Sequence, residues 1–443
     1  MGVLMQAFYW DCPRAEAVEH RWWDLVESKI PSIAAAGFTA LWLPPVHKPG
    51  NVGGPSMGYD PYDYYDLGEF PQKGSVPTWF GTRAALASLI DRAHQHGLQV
   101  IADIVINHNN GADAQEPNEL DGVARWTKFD PASGQFARAA DCFHPSRYET
   151  RDGETFGGMP DLAHRNPYVF GEVLKLSKWL VETIGFDGFR YDFVKGYGSW
   201  LVTAIQEYQY VRAGAAIRPF GVGENWDSER TIDNWVNETN AWNDNPVNAF
   251  DFPLRYMLKE LCDSYGFDLR RIPSWGTFLN RQPARAVTFV ENHDLRNPGE
   301  PIVNDKLLAY AYVFAHEGYP CVFWKNYFND GLALQGTPNG IDALINVHER
   351  LAGGTSDVLI ADQDLYVMRR NGHGSQPGLI FVLNNRGDRW NGAWVDCRWT
   401  GATLRPWAWW SATDGSVPAN QQVFADGRVQ VWAPPRGFCV YGF

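Results

Sequence analysis

Four short segments carry most of the chemistry this sequence could perform. Asp103-Ile104-Val105-Ile106-Asn107-His108, Arg190-Tyr191-Asp192, Gly223-Glu224-Asn225-Trp226 and Glu291-Asn292-His293-Asp294 each set a carboxylate at the end of an apolar run, and two of them add a histidine. Arg190 and Asp192 are two apart on a run that reads as a strand, so their side chains share one face. The guanidinium beside Asp192 is expected to keep that carboxylate ionised, as a nucleophile requires. If Asp192, Glu224 and Asp294 converge, their repulsion drives at least one toward its protonated form. A neutral acid that protonates a leaving oxygen, with an ionised carboxylate about 5 Å away, is the division of labour in retaining glycoside hydrolysis.

Such residues need a scaffold that ends all its strands on one side. As far as about residue 350, short β-rich runs alternate with amphipathic helical stretches. The runs are 3–9, 40–43, 99–105, 188–191, 220–223, 249–252, 286–290 and 321–323. The alternation predicts an α/β fold with parallel strands, and eight runs predict a closed β/α (TIM) barrel rather than an open sheet. In such a barrel the reactive groups gather at the C-terminal strand ends, where the four segments fall. Leu86, Leu89, Ile90 and Ala93 predict a helix over 83–96 stopped by Gly97, and Val173, Leu174, Leu176 and Leu180 predict one over 170–183 ending near Gly185. Between 109 and 163 lies a polar insertion after the third strand, too long for a plain βα connection. From 353 the helical period gives way to antiparallel strands at 365–368, 378–383 and 392–399, with a hairpin over 423–431 turning on Asp426-Gly427. The expected domains are therefore a barrel (1–108 and 164–352), an inserted subdomain (109–163) and a C-terminal β-sandwich (353–443).

The net charge of −13 has the wrong sign for a protein that neutralises phosphates, so nucleic acid is not an expected partner. No apolar run is long enough for a membrane helix. Aromatic residues make up 14%, including 20 Trp, a content that suits neutral amphipathic ligands such as sugars as well as cores. Six scattered cysteines without a C-x-x-C pair read as reduced and buried. The start, MGVLMQAFYWD, carries neither a basic region nor a cleavage site. The compartment is left open: extracellular if a leader has been removed ahead of Met1, otherwise cytoplasmic. A monomer is expected.

The segments GFTALWLPP (37–45), GYDPYDYYDLGEF (58–70), ADIVINH (102–108), ETFGGMPDL (154–162), GFDGFRYDFVKGYG (185–198), GVGENW (221–226) and TFVENHD (288–294) together resemble the α-amylase family, glycoside hydrolase family 13, nearest in type to its plant and archaeal members. The resemblance spans nearly the whole chain. It implies endo-hydrolysis of α-1,4-glucosidic bonds in starch, glycogen and maltooligosaccharides, with Asp192 as nucleophile, Glu224 as general acid/base and Asp294 as the carboxylate that holds the distorted sugar. It also implies sugar contacts for Tyr59, His108, Arg190 and His293, and leaving-group-side contacts for Lys195, Gly196, Tyr197 and Trp226. A maltooligosaccharide-forming amylase or a 4-α-glucanotransferase would share every catalytic residue.

The insertion's Asp152-Gly153-Glu154 and Asp161 offer hard oxygen ligands of the kind Ca²⁺ takes. The resemblance implies Ca²⁺ held by the side chains of Asn107, Asp152 and Asp161 and the carbonyls of Glu154 and Gly196. It does not carry over a zinc site known in some archaeal members, because Thr150-Arg151 stands where those have cysteine, and His144 is left as a structural or surface residue. Leu295-Arg296-Asn297-Pro298-Gly299 and Trp324-Lys325-Asn326 also depart from common family forms. Trp407, Trp409 and Trp410 are expected to tie the tail to the barrel rather than to bind starch.

Overall fold

The computed structural model describes residues 2–12, 20–51 and 55–443; Met1 lies outside them. Eight strands pair in parallel, each with the next, and the last closes on the first: β1 (Leu4–Gln6), β2 (Ala40–Leu43), β3 (Gln99–Ile104), β4 (Gly188–Tyr191), β5 (Phe220–Gly223), β6 (Asn248–Phe250), β7 (Ala286–Phe289) and β8 (Tyr319–Phe323). All eight predicted runs form these strands. They are legible because a barrel strand is covered on both faces, by the packed interior and by the outer helices, so it reads as an unbroken apolar run. The whole of β2, β4 and β7 is buried.

The predicted helices begin and end for local reasons. Helix α2 (Arg83–Gln95), the second after α1 (Trp22–Ala36), starts where the Thr82 hydroxyl accepts the Ala85 N–H at 3.3 Å. It buries Leu86, Leu89, Ile90 and Ala93 and stops before Gly97, whose φ of 74° is left-handed. Helix α3 (Pro167–Trp179) opens with proline in its first turn and Asn166 capping Tyr168 at 3.0 Å, then loosens into a π turn over Leu180–Ile184 ending at Gly185.

The segment between β3 and α3 leaves the barrel and returns to it. It carries a hairpin of Ala114–Pro117 and Ala124–Lys128, and its end is stitched to the end of β3. The Asn109 N–H donates to Pro160 O and the Leu162 N–H to Asn107 O, both at 2.9 Å. Residues 107–109 and 160–162 therefore form one short ladder.

In the tail, β9 (Ser356–Ala361), β10 (Leu365–Arg370), β11 (Leu379–Asn384), β16 (Gly437–Gly442), β13 (Thr403–Ser411) and β14 (Gln421–Gln422) make a six-stranded antiparallel sheet in that order, and β12 (Asn391–Asp396) pairs with β15 (Arg428–Ala433) as a ribbon. Val367 and Val382 of the sheet pack with Val395 and Val431 of the ribbon in a core of their own. The expected hairpin over 423–431 is corrected here. Asp426-Gly427 does turn the chain, with the Phe424 N–H donating to Arg428 O at 2.9 Å, but the two arms part, β14 joining β13 and β15 joining β12. A turn fixes a local reversal only; the partners of its arms are set by which distant strands offer a buried face.

The tail is fastened to the barrel by Arg436, which is 1% exposed. It pairs with Asp305 at 2.7 Å, bonds Asn385, and donates to Leu261 O and Cys262 O at 2.9 and 2.6 Å. Trp407 and Trp410 pack against the main core, with Arg350 over the Trp407 ring at 5.1 Å, whereas the Trp409 side chain lies in the tail's own core and only its backbone N–H reaches the barrel, donating to Pro338 O at 3.0 Å. All six cysteines are buried. Among the described residues no helix is long and apolar enough to cross a membrane.

Candidate active site

A cleft of about 470 Å³ opens at the C-terminal ends of the barrel strands and is walled by Asp192, Glu224 and Asp294 with Tyr59, Trp10 and Trp226. Asp192 follows β4, Glu224 follows β5 and Asp294 follows β7, so three strand ends deliver the three carboxylates to one place. Beneath them lies Arg190, 1% exposed. Its Nη1 donates to Asp103 Oδ1 at 2.9 Å and to Asp192 Oδ1 at 2.6 Å, and its Nη2 pairs with Glu224 Oε1 at 2.8 Å. Asp103, at the end of β3, is held on its other oxygen by Trp42 Nε1 at 3.0 Å and the Tyr59 hydroxyl at 2.7 Å. The motifs contained Asp103, but its part emerges only here: it competes with Asp192 for the same cation.

Arg190 favours the charged form of Asp192, as expected, but it is shared with Asp103 and Glu224. One guanidinium faces three buried carboxylates. Burial, checked by Arg190 and reinforced by Asp103, pushes Asp192 up to about 7. Burial raises Glu224 further, to about 8, against Arg190 and with the help of Asp192 and Asp294. Asp103 rises to about 6 for the same leading reason. Burial would push Asp294 up as well, but His293, Arg190 and Arg296 outweigh it and hold the group below the usual carboxylate range. Burial lowers His293 itself to about 4, so at neutral pH the two arginines are the charged partners. Burial thus favours the neutral form at Asp192 and Glu224, whereas the cations around Asp294 favour its charged form.

The cleft floor is aromatic. The Tyr59 and His293 rings lie 5.1 Å apart and parallel to within 8°, and Trp10 lies 6.2 and 6.3 Å from them, again nearly parallel. His293 is oriented from β1: Gln6 Nε2 donates to its Nδ1 at 3.0 Å, which leaves Nε2–H facing Asp294 Oδ2 at 3.2 Å. Trp226 stacks on Phe252 at 4.8 Å with its Nε1 bonded to the Tyr256 hydroxyl at 2.6 Å. Lys195 reaches into the cleft between Glu154 and Asp227, 3.6 Å from each. Trp10, Phe156, Arg296 and Glu300 also line it and were not singled out from the sequence for this place. An exposed aromatic in a strand-end motif looks no different in sequence from a core residue.

Three expected sugar contacts lie behind the wall instead. His108 is fully buried, its Nε2 bonded to Tyr59 O at 2.9 Å and its ring stacked on Phe156 at 4.5 Å. The Tyr197 hydroxyl donates to Asp192 O at 3.0 Å, bracing that residue's backbone from below. Arg190 acts through the carboxylates, as described.

A second cluster lies where the insertion meets the barrel. Asn107 Oδ1, Asp152 Oδ1 and Asp161 Oδ1 are buried with no hydrogen-bond partner among the described residues. A Cβ on Gly196 would come within 2.0 Å of Asn107 Oδ1, so the turn after β4 is packed against that oxygen. Glu154 joins through its N–H, which donates to Lys195 O at 3.0 Å. Orphaned buried carboxylate and amide oxygens are what a hard divalent cation satisfies, so these residues fit calcium. Of the two places expected for His144 the surface is excluded: it is a member of the cluster, its Nδ1 3.1 Å from Asp161 and 3.7 Å from Asp152.

The family model described as the α-amylase catalytic domain matches residues 22–322. An α-amylase of Geobacillus stearothermophilus is 32% identical over 85% of this chain and 76% of its own. A glucan 1,4-α-maltohexaosidase of Bacillus sp. (strain 707) is 31% identical, covering 88% and 84%. A probable α-amylase 2 of Arabidopsis thaliana is 30% identical, covering 82% and 84%. Among solved structures, an α-amylase of Geobacillus thermoleovorans complexed with acarbose superposes with a TM-score of 0.68 at 19% identity, covering 99% of this chain and 97% of its own. A three-domain cyclomaltodextrin glucanotransferase superposes at 0.70 and 17%, covering 99% and 98%. These last two bear on the fold alone.

Proposed function

The chain belongs to the α-amylase family, and from that membership we propose that it hydrolyses α-1,4-glucosidic bonds of starch, glycogen and maltooligosaccharides by a retaining double displacement at Asp192, Glu224 and Asp294. The observation that carries this reading is the convergence of Asp192, Glu224 and Asp294 from three strand ends on one cleft, with a buried arginine beneath them. With the scissile bond over the Tyr59–His293 floor, Glu224 protonates the leaving oxygen and Asp192 attacks the anomeric carbon, giving a β-linked glycosyl-enzyme. Glu224, now ionised, takes a proton from water, which displaces Asp192 and releases an α-anomer. Asp294, already charged, binds the hydroxyls of the distorted ring as positive charge develops on it. Arg190 and Asp103 position the two reacting carboxylates, and Tyr197 fixes the Asp192 backbone. Trp226 and Lys195 flank the leaving-group side.

Calcium fits the inserted unit, which we assign to 109–163, between the barrel and a separate tail at 353–443. Asn107, Asp152, Asp161 and the Glu154 and Gly196 carbonyls would hold it, with His144 beside them. When bound it would supply charge that pins the insertion to the loop after β4; no reaction step passes through it.

The test is Glu224→Gln. Turnover is expected to fall by roughly 10²–10⁴-fold while binding of maltoheptaose persists, and near-normal turnover would sink the assignment. The maltohexaosidase among the relatives makes product length the second question. A timed profile on soluble starch and maltoheptaose answers it: a ladder of short products supports endo-hydrolysis, a single dominant product a maltooligosaccharide-forming enzyme, and products longer than the substrate a glucanotransferase.

A further inference from the structure

We propose that Arg296 sets how many sugar rings the cleft holds, by covering the face of Trp10 on which a further ring would stack. The inference rests on the amylase reading above and deepens it. Arg296 lies two residues after Asp294, in the stretch that departs from common family forms. Its guanidinium carbon sits 3.7 Å over the Trp10 ring, at stacking distance. Its Nη1 pairs with Asp294 Oδ1 at 3.1 Å and approaches His293 O at 3.4 Å. The side chain is 42% exposed and lines the cleft, so it plugs an accessible place rather than filling core.

The loop that carries it is fastened at both ends. Asn292 Oδ1 accepts the N–H groups of Asp294 and Leu295 at 3.0 and 3.2 Å, and Leu295 is buried. Farther along, Glu300 accepts the Asn297 N–H at 2.8 Å, Lys259 donates to Pro301 O at 2.7 Å, and Glu291 accepts the Ile302 N–H at 2.6 Å. A loop held this way presents the guanidinium in one place. Trp10, Tyr59 and His293 form a parallel aromatic set, and Arg296 occupies the face that Trp10 would otherwise offer.

Two consequences separate the planar stack from the charge. The stack acts on chain length; the charge acts on Asp294, which Arg296 helps to keep ionised. Arg296→Ala removes both. Arg296→Lys keeps a cation near Asp294 but cannot cover an indole face with a plane.

The experiment compares wild type, R296A and R296K on maltotriose, maltopentaose and maltoheptaose, with product lengths and pH profiles of kcat/KM. R296A is expected to raise the maltoheptaose-to-maltotriose ratio of kcat/KM by about five- to tenfold, a factor in the range of one added aromatic stacking contact, and to lengthen the main product by one glucose. R296K should show the same change in chain-length preference with a pH profile near that of wild type. An unchanged ratio and product pattern in R296A overturns the inference. So does a fall in the ratio, which would make Arg296 a sugar-binding group instead of a plug. If wild type itself cleaves none of the three substrates, the amylase reading fails rather than this one.

Discussion

Asp103 lines no part of the cleft, yet it bears on how Asp192 titrates. It shares the Arg190 guanidinium and adds a buried negative charge nearby, and both effects raise Asp192. The proposed cleavage needs Asp192 ionised and Glu224 protonated. With the two raised to about 7 and about 8, the profile of kcat/KM should be a bell whose limbs fall on either side of that window, belonging to the coupled pair rather than to either residue. Asp103→Asn removes one negative neighbour and frees the guanidinium for Asp192. The sign is therefore downward: the acidic limb moves to lower pH, and the alkaline limb follows because Asp103 also raises Arg190's other partner, Glu224, less directly. Steady-state kinetics across pH checks this, and unmoved limbs would mean that Asp103 only supports the fold. The trio itself was legible in the sequence, since each member ends an apolar run. Asp103's role was not, because its partners Trp42, Tyr59 and Arg190 come from three other parts of the chain.

At the level of elements, the turn after β4 joins the reaction to the insertion. It runs from Asp192 to Gly196, and Gly196 rests against Asn107 Oδ1 so closely that a methyl group has no room. Gly196→Ala should force the turn away from Asn107 and cost about 1–3 kcal/mol of stability. Its melting temperature should fall, and the further drop caused by a strong chelator should be smaller than in wild type. Calorimetry with and without chelator decides it: equal chelator responses would separate Gly196 from cation binding. The eight barrel strands were legible because burial on both faces writes itself as a continuous run. The arms around Asp426-Gly427 were not, because the turn is local and the pairing of β14 with β13 and β15 with β12 is not. The contact of His144 with Asp152 and Asp161 was not legible for a related reason: nothing within 144–149 says that the two aspartates come back to meet it.

Across the whole molecule, one buried side chain does much to hold tail and barrel together. Arg436 satisfies Asp305 and two barrel carbonyls at once, so Arg436→Met leaves a carboxylate and two acceptors facing an apolar group. The cost should be about 3–5 kcal/mol, read as a lower unfolding midpoint in denaturant, with the tail the first part to open in hydrogen exchange. An unchanged midpoint would show that the interface rests on packing alone. The stretch 154–161 reaches further still. Phe156 faces the cleft, while Thr155, Met159, Pro160 and Asp161 line the groove on the His144 side, so one thin wall has the cleft before it and the proposed calcium ligands behind it. Whatever factor calcium bound there would add to glucan affinity, the glucan must return to the ion, since the two equilibria form a closed cycle. Titrating Ca²⁺ with and without a saturating oligosaccharide on the Glu224→Gln protein measures that factor, and a factor of one would show the wall to be inert. If it exceeds one, the enzyme keeps its ion best where starch is plentiful and surrenders it where food has run out, so that substrate itself acts as the preservative.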